Sequence, residues 1–154
     1  MPVSKANLAL AKKYKAKVFK FKDLPLVAQL ALIVYCDRLV EGMDHYEGKP
    51  VKDYLPKVLK KHGNARFGLA TIPMEVLKQE VMTRNEDVRE DWTGDWNAYH
   101  KWYIGHGRPA EHPKSSVWPP ILSCFNDEVF QDGWHRFHRY AELGIKEIPV
   151  VYFP

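Results

Sequence analysis

A chain of 154 residues, 45% hydrophobic and 13% aromatic, can bury a core without staples, which excludes a disordered chain. Its two cysteines, Cys36 and Cys124, have no metal-ligand spacing and read as reduced thiols of a cytoplasmic protein, a single long-range disulfide being the alternative. The formal charge of +4 is concentrated at one end: residues 1–22 hold seven lysines and no acid, leaving 16 basic against 19 acidic residues elsewhere.

Residues 1–22 read as a basic N-terminal arm, with a short helix within 3–17 and a short strand where apolar and basic residues alternate over 18–22. Besides Lys5 it carries Lys12, Lys13, Lys15, Lys17, Lys20 and Lys22. These either attract DNA or RNA non-specifically or form a solubilising, partly ordered tail. Residues 23–66 read as a helical extension. Asp23 caps a helix over 24–40, with Pro25 in its first turn and Gly42 at its end. The best apolar run, Leu24 to Cys36, is broken by Pro25 and Gln29 and is shorter than the roughly 20 residues a bilayer requires, so no membrane partner is expected.

A loop covers 42–50, and a second helix covers 51–61 before Gly63. Residues 66–72 form a strand candidate, and 74–83 a helix begun by Pro73. Residues 84–95, charged and poor in aliphatics, read as loop. Asp95 caps a helix over 96–104, in which Tyr99, Trp102 and Tyr103 share helical spacing and read as core, with base stacking as the alternative. The polar stretch 105–116, with His106, Arg108 and His112, is either a lid or an ordinary surface connection.

The final third is punctuated most clearly. A strand over 121–125 turns at Asn126 and Asp127 and returns over 128–131. A helix follows over 134–143, Gly144 stops it, and a strand over 148–153 closes the chain. The expected fold is α+β: a small mixed β-sheet with packed helices, its core over 67–154 and an N-terminal helical layer against it.

The chemistry concentrates where a strand meets that last helix. Gly133 lets the backbone approach a ligand. The helix N-terminus favours an anion through its dipole and unbonded amides. Arg136 adds a planar donor fork suited to phosphate, and His135 sits beside it. Asp132 reads as a magnesium ligand, as a base toward an attacking hydroxyl or water, or simply as a helix cap. Arg139, one turn on, is either a further polyanion contact or a solvated residue. His135 and His138 could share a face at i and i+3, but no third metal ligand has usable spacing.

The run Asp132-Gly133-Trp134-His135-Arg136, then Glu142-Leu143-Gly144, then Glu147-Ile148-Pro149-Val150 resembles the ParB/sulfiredoxin superfamily. Val117-Trp118-Pro119-Pro120-Ile121 looks like the strand lead-in of those proteins. The resemblance covers residues 117–153, is loose back to Phe67 and is absent before it. It implies that the loop and helix bind the phosphates of a nucleotide, ATP or another NTP, at Gly133, Trp134, His135 and Arg136; Mg²⁺ would come with Asp132 as its ligand, and Arg139 would be a further contact. Trp134 stands where sulfiredoxins carry their nucleophilic cysteine, so that chemistry is not expected. The chromosome-partitioning branch implies CTP and a further DNA reader, and the free-serine-kinase branch implies an upstream catalytic glutamate, which Glu80 could match. ParB-like nucleases of phages and plasmids form a fourth branch.

Two functional readings follow. One is a Mg-dependent enzyme on phosphate esters (a nuclease, NTPase or kinase) with Asp132 and Glu80 as catalytic groups. The other is a non-catalytic phage- or plasmid-type regulator or inhibitor that binds nucleotide or DNA through the same loop, the lysine arm adding affinity. A scaffold that does not use the loop is the third option.

Overall fold

The computed structural model describes residues 2–35, 51–106 and 118–154. The expected helix over 36–40, the loop over 42–50, the polar loop over 107–116 with Arg108 and His112, and Cys36 with its disulfide alternative lie outside them. The fold is α+β. Among the described residues, seven α-helices pack around a five-stranded mixed sheet.

The helices are α1 Lys5–Lys12, α2 Leu26–Tyr35, α3 Leu55–His62, α4 Met74–Arg84, α5 Glu86–Trp92, α6 Trp96–Gly105 and α7 Trp134–Glu142. The strands are β1 Lys17–Lys20, β2 Arg66–Pro73, β3 Ile121–Leu122, β4 Phe130–Asp132 and β5 Glu147–Tyr152. They lie in the order β1-β2-β5-β3-β4. The pairs β1–β2, β2–β5 and β3–β4 are antiparallel, and β3–β5 is parallel.

The sheet buries both faces. Alternation along β5 sends Ile148, Val150 and Tyr152 to one core and Val151 to the other. The first core, with Leu77, Val81, Leu122, Phe130 and Phe137, lies under α1 and α4–α7. The second, with Phe21, Leu32, Val58, Phe67 and Ile121, lies under α2 and α3, the expected N-terminal helical layer.

Residues 2–22 do not stand apart as an appended arm. Val3 N–H donates to the Phe153 carbonyl at 2.8 Å, Ser4 caps α1 by accepting from Asn7 N–H, and β1 is a strand of the sheet. Asn7 is fully buried, and its amide donates to the carbonyls of Ser123 and Glu128, both at 3.0 Å. Buried polar satisfaction of that kind ties α1 to the β3–β4 connection. Residues 84–95 are not all loop either, for α5 occupies 86–92. Glu86 and Asp87 suit its positive end, Val88 and Trp92 pack on the core at i and i+4, and Thr93 in the left-handed region ends it.

The return strand is also shorter than expected. Residues 123–129 form a compact connection in which Ser123 N–H donates to Val129 carbonyl at 3.0 Å, and only β3 and β4 pair as strands. Among the described residues no helix is long and apolar enough to cross a membrane.

Candidate functional site

The expected strand–turn–helix junction forms. β4 ends at Asp132, Gly133 is its left-handed turn residue at φ 95°, and α7 begins at Trp134. An added Cβ on Gly133 would lie 2.7 Å from Pro120 Cα, so the glycine is required here by the close approach of the 118–120 segment. That segment is held in turn by Val151 N–H, which donates to the Pro120 carbonyl at 2.9 Å.

Asp132 is half-buried, and its Oδ1 accepts the Gly133 N–H at 2.8 Å. It does not cap α7, whose N-cap is Gly133. Trp134 turns its ring into the core, edge-on to Phe130 at 5.1 Å, so its indole is a packing group rather than a ligand contact. His135 is exposed, and its Nδ1 pairs with the Tyr103 hydroxyl at 2.6 Å.

Arg136 differs from expectation. Its side chain is not an open fork: the residue is 6% exposed, and the guanidinium lies 5.2 Å from the Trp118 ring centre. Burial lowers its pKa to about 10, partly offset by Tyr140, so it stays cationic at neutral pH. Tyr140 donates its hydroxyl to the Trp118 carbonyl at 2.6 Å, locking the same segment. The arginine is therefore a fixed positive charge under an indole lid.

The other two residues are not brought to the turn. Arg139 lies further along α7, with Glu142 at 3.9 Å. Glu80 sits 2.7 Å from Arg84 Nε. Arg84 in turn donates to the Asn7 side chain and, at 3.1 Å, to the Asn126 carbonyl. Asn126 lies in the β3–β4 connection, whereas Asp132 is at the other end of that hairpin. Glu80 therefore belongs to a structural clamp and does not join Asp132 as a catalytic pair.

The lysines are farther still. Lys17 and Lys20 lie on β1 and Lys22 just beyond it, while Asp132 and Gly133 end β4, at the opposite edge of the sheet; Lys12 ends α1. Four strand spacings separate those edges, roughly 19 Å. Lysine side chains on β1 cannot add affinity for a small ligand at the α7 turn.

One feature escaped the sequence reading. His138, 2% exposed, pairs through Nδ1 with His100 Nδ1 at 2.8 Å and through Nε2 with the Tyr99 hydroxyl at 3.2 Å. The two imidazoles are nearly coplanar, 9° apart, with centroids at 5.1 Å. The nitrogens thus face each other across one shared proton, so this is a hydrogen bond and not a metal cleft. Tyr103 stacks on His138 at 3.7 Å while bonding His135, joining the α6–α7 interface to the turn. Burial, then the charges of His100 and His135, push the His138 pKa far down. The spacing of His135 and His138 on α7 hinted at this arrangement, but its partner His100 lies on α6. Trp102, expected in the core, is 44% exposed.

Among the described residues the donor set for Mg²⁺ is thin. Asp132 is the one carboxylate of the turn, and one of its oxygens is bonded to Gly133 N–H. It fits the ion only together with phosphate oxygens from a ligand. No group of three or more candidate metal ligands occurs among the described residues. No protein-family model matches the chain, and searches of curated proteins and of solved structures also return no match.

Proposed function

We propose that this protein binds a phosphate-bearing ligand, a nucleotide of the ATP or NTP kind, at the first turn of α7. Two positive terms coincide there. The dipole of α7 is positive at Trp134, where the first amides have no acceptor within the helix. The Arg136 cation is buried in that same turn, which has no acidic residue. A desolvated charge acts through a lower effective dielectric than an exposed one, which strengthens its pull on an incoming anion. The exposed imidazole of His135 and the backbone amides of the turn would touch the phosphate, and Arg136 would hold it from behind. The coincidence of buried cation and helix N-terminus carries the reading, and the ParB/sulfiredoxin resemblance of the same residues agrees with it.

Binding is favoured over catalysis because Glu80 is engaged with Arg84. An enzymatic reading rests on Asp132 alone, as the Mg²⁺ ligand beside the phosphate or as a base. A thermal-shift and turnover panel with ATP, CTP, GTP and inorganic phosphate, with and without Mg²⁺, tests both. Stabilisation that His135→Ala and Arg136→Ala weaken supports the site, and turnover abolished by Asp132→Asn supports an enzyme. A panel in which no nucleotide raises the midpoint rejects the proposal.

A further inference from the structure

The structure assembles a basic surface that the sequence scatters. In the described segments 2–23 and 51–66 there are twelve basic residues and two acids, Asp23 and Asp53. In the other described segments, 24–35, 67–106 and 118–154, there are seven basic and twelve acidic residues. The molecule is therefore polarised.

The fold brings part of that basic half together, while α1 with Lys5 and Lys12 covers the other face of the sheet. β1 is an edge strand, and Lys17 and Lys20 on it are exposed. Lys22 N–H donates to the Gly63 carbonyl at 3.0 Å, and Phe21 N–H to the Ala65 carbonyl at 2.7 Å. Those bonds set the end of β1 against the end of α3. On α3, Val58 faces the core while Lys57, Lys60 and Lys61 are exposed, at i, i+3 and i+4. None of these six lysines forms an ion pair among the described residues.

Lysines on an edge strand commonly prevent strand-to-strand pairing, which accounts for Lys17 and Lys20. It does not account for three lysines on the outer face of a helix. Nor does folding favour the arrangement, since clustered like charges repel. An external polyanion does account for it.

We infer that the β1 edge and the outer face of α3 form a binding surface for the phosphate backbone of double-stranded nucleic acid. The four-residue β1 spans about 13 Å and the eight-residue α3 about 12 Å. Duplex DNA carries one charge per about 1.7 Å of axis with both strands counted, so a length equal to each row carries roughly seven charges, of which only part faces the protein. The exposed aromatic side chain that single-strand binding uses as a stacking platform is not offered by either row. Contacts would be to phosphates and indifferent to sequence. Acids on α5 (Glu86, Asp87, Glu90 and Asp91, all exposed) would turn the opposite side of the charge distribution away from the duplex.

This surface lies across the sheet from the α7 turn and does not depend on it. The test is fluorescence anisotropy of the full chain with a random-sequence DNA duplex across a salt series, with anionic lipid vesicles as a second probe. Six phosphate contacts give a slope of log K against log salt of about −5. K57E/K60E/K61E should weaken binding at least about ten-fold and flatten the slope by about 2.7. K17Q/K20Q/K22Q should weaken it in the same direction, which covers the case in which the first variant fails to fold. Lys101→Gln, an exposed lysine of α6 outside both surfaces, should leave duplex binding unchanged. Affinity untouched by either lysine variant overturns the inference, as does vesicle binding without duplex binding at low salt.

Discussion

Acidification should destabilise this protein before its carboxylates titrate, and His138 is the reason. Its imidazole is buried among Trp96, Tyr99, His100 and Tyr103 of α6 and Phe137 of α7, with its pKa pushed down to about 2. In the unfolded chain it binds a proton near the ordinary value of about 6.5. The unfolded state therefore holds more protons in between, and stability falls as pH falls through that window. The contribution is fully present above pH 6.5 and shrinks by about 1.4 kcal/mol per unit below it. Between pH 6.5 and pH 5 the loss is about 2 kcal/mol, or about 4–8 °C in midpoint for a domain of this size. The pKa of His100 is also lowered, by burial against the opposing pull of Glu142, and acts in the same direction. Urea unfolding at closely spaced pH values measures the slope. His138→Phe should flatten it, while lowering stability at pH 7.5 by leaving the Tyr99 hydroxyl and His100 without their partner. A His138 ring that titrates near pH 6.5 by NMR, or a slope retained in His138→Phe, refutes the reasoning.

Two further substitutions test the framework. Gly133→Ala combines positive-φ strain of about 1–2 kcal/mol with overlap on Pro120, whereas Gly94→Ala, at φ 84° with nothing within 4 Å, has the strain alone. Urea unfolding should show Gly133→Ala the costlier by about 1–3 kcal/mol; equal costs would contradict the packing of the 118–120 segment. Arg84→Ala removes the bonds to Asn7 and Asn126 and should cost about 2 kcal/mol. Glu80→Gln, at a half-exposed i,i+4 pair, should cost under about 0.5 kcal/mol and leave nucleotide binding unchanged. A loss of binding in Glu80→Gln would return that residue to the site.

Local punctuation made much of the fold legible. Asp95, which accepts from Ala98 N–H, and Pro73, Gly133 and Gly144 bound α4, α6, α7 and β5 within a residue or two of expectation. α5 was hidden because two anchors, Val88 and Trp92, hold an otherwise acidic surface helix. What sequence order could not convey is strand order. β5 lies between β2 and β3, and this places Lys17 and Lys20 of β1 and the Asp132–Arg136 turn at opposite edges. Arg136 showed its chemistry in the sequence but not its burial, which depends on Trp118 lying over it. Asn7 gave no warning that a lysine-rich segment would be stitched into the core, since its partners are more than 100 positions away.

The phosphate site itself can be read amide by amide. In a ¹⁵N-labelled sample titrated with ATP to about 10 mM, ten times a 1 mM Kd, the Trp134 and His135 backbone signals should shift together and saturate. The same titration of Arg136→Ala should need several-fold more nucleotide. Signals from the α7 turn that stay fixed while only residues along β1 and α3 respond would contradict the account.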